Sequence, residues 1–200
     1  MIRVRLLALT MILLAVGLAG AQDWTEMSPE EQQAMLEAWT KLGSPAEAHQ
    51  HLDDMVGSWK TTTSVWMSGP GSEAMVTEGT SEKSWVLGGR WVEERYQGAM
   101  MGRPLEGRGM TGFDNYKNMY INTWQDDGST TLTYATGVRH PDTGVLTFYG
   151  QADEPMLEVQ DRTIKYTYVI ESRDRHVFNM YDLHAGDDYK IFEIVYERLK

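Results

Sequence analysis

The sequence predicts a mainly β protein, an antiparallel up-and-down barrel of about ten strands preceded by two short α-helices. Three observations lead there. Beyond Gly57 the apolar residues change from a spacing of about 3.6 to a spacing of 2 and keep it to the C-terminus. Turn signals interrupt that stretch at Ser68-Gly69-Pro70-Gly71, Gly88-Gly89, Asp114-Asn115, Asp126-Asp127-Gly128, Pro141-Asp142-Thr143-Gly144 and Ala185-Gly186-Asp187. The intervals between them leave no room for the crossover helices that parallel strands require. Closing the resulting meander into a barrel removes the edges that would otherwise invite aggregation.

The chain opens with Arg3 and Arg5, an uncharged apolar run from Leu6 to Ala19, and the small residues Ala19-Gly20-Ala21. This is the pattern of a secretory signal peptide over residues 1–21, too short to serve as a membrane span. Export to the periplasm or the exterior is therefore expected, with no membrane span left after cleavage. The organisation expected is leader 1–21, a helical segment 22–57 capping the barrel, and the barrel itself over 58–200.

In the helical segment, Ser28 is a natural N-cap, Pro29 occupies the first helical position, and Glu31 completes a capping box. Met27, Met35, Ala38, Trp39 and Leu42 make an apolar stripe that fits docking on the barrel or on a second copy, so a homodimer is one expectation. Residues 45–56 repeat the grammar: Ser44 caps, Pro45 starts, and Gly57 stops. Strands are expected near 58–67, 74–87, 90–99, 105–113, 117–125, 129–139, 144–152, 162–173, 176–184 and 187–199.

Composition narrows the function. The chain has 200 residues, 29 acids against 18 lysines and arginines, a net charge of −11 and no cysteine. Removing residues 1–21 takes away two arginines and leaves the remainder more acidic, a poor match to a nucleic-acid backbone. Without cysteine there are no disulfides and no lipid-anchored lipoprotein.

Gly57-x-Trp59, at the start of the first strand and just after a helix, is similar to the G-x-W signature of lipocalins and the wider calycin group. That resemblance implies that Trp59 plugs the barrel base and that Arg198, late in the barrel, covers its indole. His49 and Gly57 complete the expected closure. A longer resemblance runs through His49-x-x-Leu52, VGSW, WVLGGRWVEERYQG at 85–98, MGRPLEGRGMTGFDNYKNMYINTWQDD at 101–127 and the final IVYERLK. These segments resemble the bacterial family catalogued as domain of unknown function 1579, which implies a calycin-like barrel and brings no activity with it.

The glycines of GRPLEGRGMTGFDN lack the Lys-Ser/Thr of a phosphate loop, and no helix starts there. Gly107, Gly109 and Gly112 are expected to relieve crowding instead. No histidine pair has metal-ligand spacing. Either His176 or His184 could serve as an axial ligand, so haem stays open as a cofactor. In WVEERY, Glu93 and Arg95 share Trp91's face, while Glu94 shares that of Val92 and Tyr96. One set points inward, and Glu93 with Arg95 is taken as the polar anchor of a ligand site. Glu193 is the only strand partner in view for a carboxylate enzyme. Tyr120, Trp124, Tyr134, Tyr166 and Tyr168, with Met110 and Met180, offer core or a lining for a flat apolar ligand. The leading expectation is an exported barrel that binds a small apolar or amphipathic molecule without catalysis. The rivals are a haem or carboxylate enzyme on the same barrel, and a structural or partner-binding domain.

Overall fold

A computed structural model describes Trp24 and residues 27–154 and 158–200. The expected leader, residues 1–21, lies outside the described residues. The chain divides into two units, one ending at Ser44 and one spanning Pro45–Lys200.

In the first unit, helix α1 spans Pro29–Gly43. Ser28 Oγ accepts from Glu31 N at 3.2 Å, and Glu31 Oε2 accepts from Ser28 N at 2.8 Å, which satisfies two of the free N–H groups of the first turn. Leu36, Trp39 and Leu42 are exposed. Among the described residues, no helix is long and apolar enough to cross a membrane.

The second unit begins with a four-residue helix, α2 (Glu47–Gln50), and a 3-10 turn at Asp53–Met55. A continuous helix over 45–56 was the expectation, and the structure divides it. A helix of that length is marginal in water and needs tertiary support. Here the carbonyls of Asp54, Met55 and Val56 are taken by side chains. Trp59 Nε1 donates to Met55 O at 2.9 Å, and Arg198 donates to Val56 O at 2.8 Å and to Asp54 O at 3.1 Å.

Ten strands follow: β1 Gly57–Val65, β2 Met75–Val86, β3 Trp91–Met100, β4 Arg103–Asp114, β5 Met119–Asp126, β6 Thr133–Arg139, β7 Leu146–Glu154, β8 Val159–Ser172, β9 Arg175–Asp182 and β10 Lys190–Arg198. Every neighbouring pair is antiparallel, and β1 pairs with both β2 and β10, so the sheet closes into a barrel. Each strand matches one read from the sequence. The largest offset is β6, which starts at Thr133 because the preceding residues form a loop: Asp126 Oδ1 accepts from Gly128 N at 3.0 Å. At Gly57, φ is +142° and a Cβ would overlap the Arg198 guanidinium, so only glycine fits where the turn enters β1.

The core fills the closed end. Leu52, Met55, Val92, Leu146 and Phe148 are buried together, with Tyr120, Ile164, Tyr166 and Tyr168 continuing the cluster along the barrel. Alternation sorts the rest, since residues two apart share a face of the strand.

Candidate functional site

The site is built on a sealed base. Trp59 is fully buried in β1, and the Arg198 guanidinium carbon lies 4.1 Å from its ring centroid. The register of β1 on β10 puts the two residues side by side. A desolvated cation–π contact of this kind contributes about 2 kcal/mol. Arg198 also donates from Nε to Arg173 O at 2.8 Å, so one guanidinium ties the turn before β1 to the β8–β9 connection. His49 is buried close by. Its Nδ1 accepts from Ala46 N at 3.0 Å, its ring meets Phe113 edge-on, and burial lowers its pKa.

Above the base lies a belt of buried polar groups. Lys83 Nζ is 3.3 Å from Glu94 Oε2, 3.2 Å from His176 Nε2 and 3.9 Å from the Tyr196 ring centroid. Glu94 Oε1 accepts from Ser81 Oγ at 2.7 Å and from the Tyr196 hydroxyl at 3.0 Å. His176 stacks on Tyr196 at 4.3 Å and meets Trp59 edge-on at 4.4 Å. Burial pushes the Lys83 ammonium down in pKa, opposed by the Glu94 charge. Burial, then the charges of Lys83 and Arg198, holds the His176 ring neutral far below its ordinary range. Tyr196 and Tyr168 are pushed up, by burial first and by the Glu94 charge second. Among the described residues, His176 Nδ1 and Thr61 Oγ1 are buried without a hydrogen-bond partner.

Toward the other end the barrel holds a cavity of about 250 Å³. Glu94, Tyr196, Tyr168 and Asn122 contribute to its floor. Its walls include Leu105, Trp124, Tyr166, Phe178, Met180 and Ile194, with Met100, Asp126, Thr133 and Phe192 at the ends of strands farthest from Trp59. Tyr166 stacks on Phe178 at 5.5 Å, and Trp124 meets Tyr96 edge-on at 6.0 Å. Gly107 and Gly109 leave the room on β4 that the Trp124 ring occupies, and a Cβ at Gly107 would overlap it. Gly112 does the same for Trp91, so this glycine run accommodates indoles.

The nominated residues fall into three groups. Trp124, Tyr166 and Tyr168 line the cavity. Tyr120 faces the interior at the sealed end, where its hydroxyl donates to Ala48 O at 2.9 Å and lies 2.9 Å from His51 Nδ1; its expected place in the lining is corrected. Glu93, Arg95 and Tyr134 lie on the outer surface, which corrects the anchor inferred from WVEERY. Glu93 pairs there with Arg95 at 2.9 Å and Arg108 at 3.5 Å, and Tyr134 is exposed. The reason is that Val92 and Tyr96 are buried, and alternation carries Glu94 inward with them. Met110 shares the outer face with Arg108, whereas Met180 lines the cavity. Glu193 points outward to Lys190 at 2.5 Å, so the pair of Glu93 and Glu193 in view for a carboxylate enzyme does not face the interior.

Among the described residues that line the cavity there is no histidine. His176 lies in the belt with Nε2 turned to Lys83, and His184 Nε2 accepts from Thr163 N at 3.3 Å beyond the end of β9, so neither offers an axial nitrogen to a haem in this cavity. No group of three or more His, Asp or Glu residues suited to a metal ion occurs among the described residues. The sequence alone singles out neither Ser81 nor Lys83, and it places Tyr196 only on a strand face with Phe192 and Ile194. The alternation Ser81, Lys83, Trp85 in β2 was the available signal, and the lysine in it reads most simply as an exposed one.

Comparison with known proteins agrees with this architecture. The Rv2717c protein of M. tuberculosis superposes with a TM-score of 0.55 at 13% identity, covering 78% of this chain and 100% of that one. The S-type phycobiliprotein lyase CPES of Guillardia theta gives a TM-score of 0.51 at 9% identity, covering 78% of this chain and 94% of that one. At such identities the likeness is one of fold. No curated protein matches the chain. The family described as "Protein of unknown function (DUF1579)" matches residues 44–198, the second unit almost end to end, and the chain belongs to that family.

Proposed function

We propose that this protein is an exported barrel that holds a small apolar or amphipathic molecule in the cavity away from Trp59, without catalysing a reaction on it. The observation that carries the reading is the cavity: about 250 Å³ with aromatic and thioether walls and a few fixed polar groups on the floor. Small-molecule sites have this composition, and their volumes start at roughly 300 Å³, so the occupant is a compact one. The belt beneath supports binding over chemistry. Glu94 is held in place by Ser81, Tyr196 and Lys83, and Lys83 and His176 are shut off below the floor. Export rests on Arg3, Arg5, the run Leu6–Ala19 and Ala19-Gly20-Ala21. N-terminal sequencing of the mature protein is expected to start at Gln22, and a retained Met1 in a membrane fraction would contradict it.

Native mass spectrometry of freshly purified protein, run beside the cavity-filling variant Ala152→Leu, tests the binding itself. Ala152 lines the cavity from β7. A noncovalent adduct on the wild type that is reduced or lost in Ala152→Leu is the expected result. Bare masses for both proteins, or the same adduct on both, would count against a ligand in this cavity.

A further inference from the structure

The ionic groups around the cavity restrict what it can hold. Among the described residues that line it, the charged ones are Glu94 and Asp126, both acids, with no lysine, arginine or histidine. Asp126 is already engaged: Oδ2 accepts from Trp124 Nε1 at 2.8 Å and Oδ1 from Gly128 N at 3.0 Å. Glu94 differs. A carboxylate oxygen has about two acceptor positions. At Oε1 both are filled, by Ser81 and Tyr196, whereas Oε2 has the single polar partner Lys83, at the long distance of 3.3 Å. Among the described residues, Oε2 of this floor residue is therefore a buried carboxylate oxygen with room for one more donor.

We propose that the ligand is a neutral, flat molecule carrying an O–H or N–H donor, of phenol or indole type, with its donor on Glu94 Oε2 and its ring among Trp124, Tyr166 and Phe178. This deepens the ligand-holding reading and rests on it. A carboxylate-headed ligand such as a fatty acid would bring a third negative group to a cavity whose lining has no cation to meet it. A cationic ligand would approach the Lys83 ammonium, which already neutralises Glu94. A neutral donor meets neither objection. It also completes the hydrogen-bonding capacity of a buried charge, where such bonds are strongest.

Isothermal titration calorimetry of the full chain at neutral pH, with 2-naphthol, 2-methoxynaphthalene and 2-naphthoate as probes, separates the possibilities because the three share one ring system. The expected order is 2-naphthol tightest, its methyl ether weaker by about tenfold or more, and 2-naphthoate weakest. In Glu94→Gln the gap between naphthol and its ether is expected to narrow. Should that variant fail to fold, the three wild-type affinities still decide. Equal or tighter binding of the ether, or tightest binding of naphthoate, overturns the donor assignment and leaves the barrel a ligand holder. Failure of all three to bind overturns both.

Discussion

His176 sits where a charged imidazole has no place, between the Trp59 edge, the Tyr196 face and the Lys83 ammonium. Burial, with the Lys83 and Arg198 charges, keeps its folded-state pKa far below the ordinary value of 6.5 that the unfolded chain recovers. Below that pH the unfolded state binds a proton that the folded state refuses, so stability is full above about 6.5 and falls as the pH drops. For one such histidine the loss reaches about 2 kcal/mol by pH 5. His49, lowered by burial, adds a smaller effect of the same sign. Thermal melts from about pH 7 to pH 5 are expected to show a declining midpoint with a shallower slope in His176→Phe; an unchanged slope would place the effect elsewhere. Sequence alone did not show this arrangement, because a histidine's neighbours across a barrel come from strands far apart in the chain. Glu93 and Glu94 show the same limit in another form. Two adjacent acids must face opposite ways, but the choice between them was made by Val92 and Tyr96.

At the level of elements, β4 owes its shape to what it lacks. The Trp124 ring lies over Gly107 and Gly109, so the adjacent strand β5 can turn its largest side chain into the cavity wall. Gly107→Ala is expected to push the indole aside at a cost of about 1–3 kcal/mol, the range for overpacking. Urea unfolding measures that cost, and near-ultraviolet circular dichroism reports the displaced ring. A variant with wild-type stability and spectrum would mean that the ring moves freely. Much at this scale was legible beforehand. The capping box at Ser28 and Glu31 and all ten strands follow from local spacing, which acts within a few residues. The division of residues 45–56 did not, and its end is fastened by distant side chains, with Arg198 and Trp59 taking the carbonyls of Asp54, Met55 and Val56. The cavity was half legible. Aromatic residues on alternating strands signal an interior, and Trp124, Tyr166 and Tyr168 are there, but Tyr120 shares their face and lies at the sealed end.

For the whole molecule, closure by β1 on β10 has a kinetic consequence. Trp59 stands near the beginning of the barrel and its partner Arg198 at the end of its last strand, so the contact that seals the base joins nearly the most distant residues of the barrel sequence. Contacts of such separation are slow to find and form late, because the chain loses the entropy of the whole loop before they repay it. Arg198→Lys, which removes the planar fork that reaches Val56, Asp54 and Arg173, is therefore expected to speed unfolding while leaving the refolding rate nearly unchanged. Stopped-flow refolding and unfolding in urea would show it, and a matching fall in the refolding rate would move the closure to the transition state. During synthesis the same geometry imposes an order of events. The first strand leaves the ribosome long before the last, and Trp59 must wait, uncovered by Arg198, until the whole of β10 has been released.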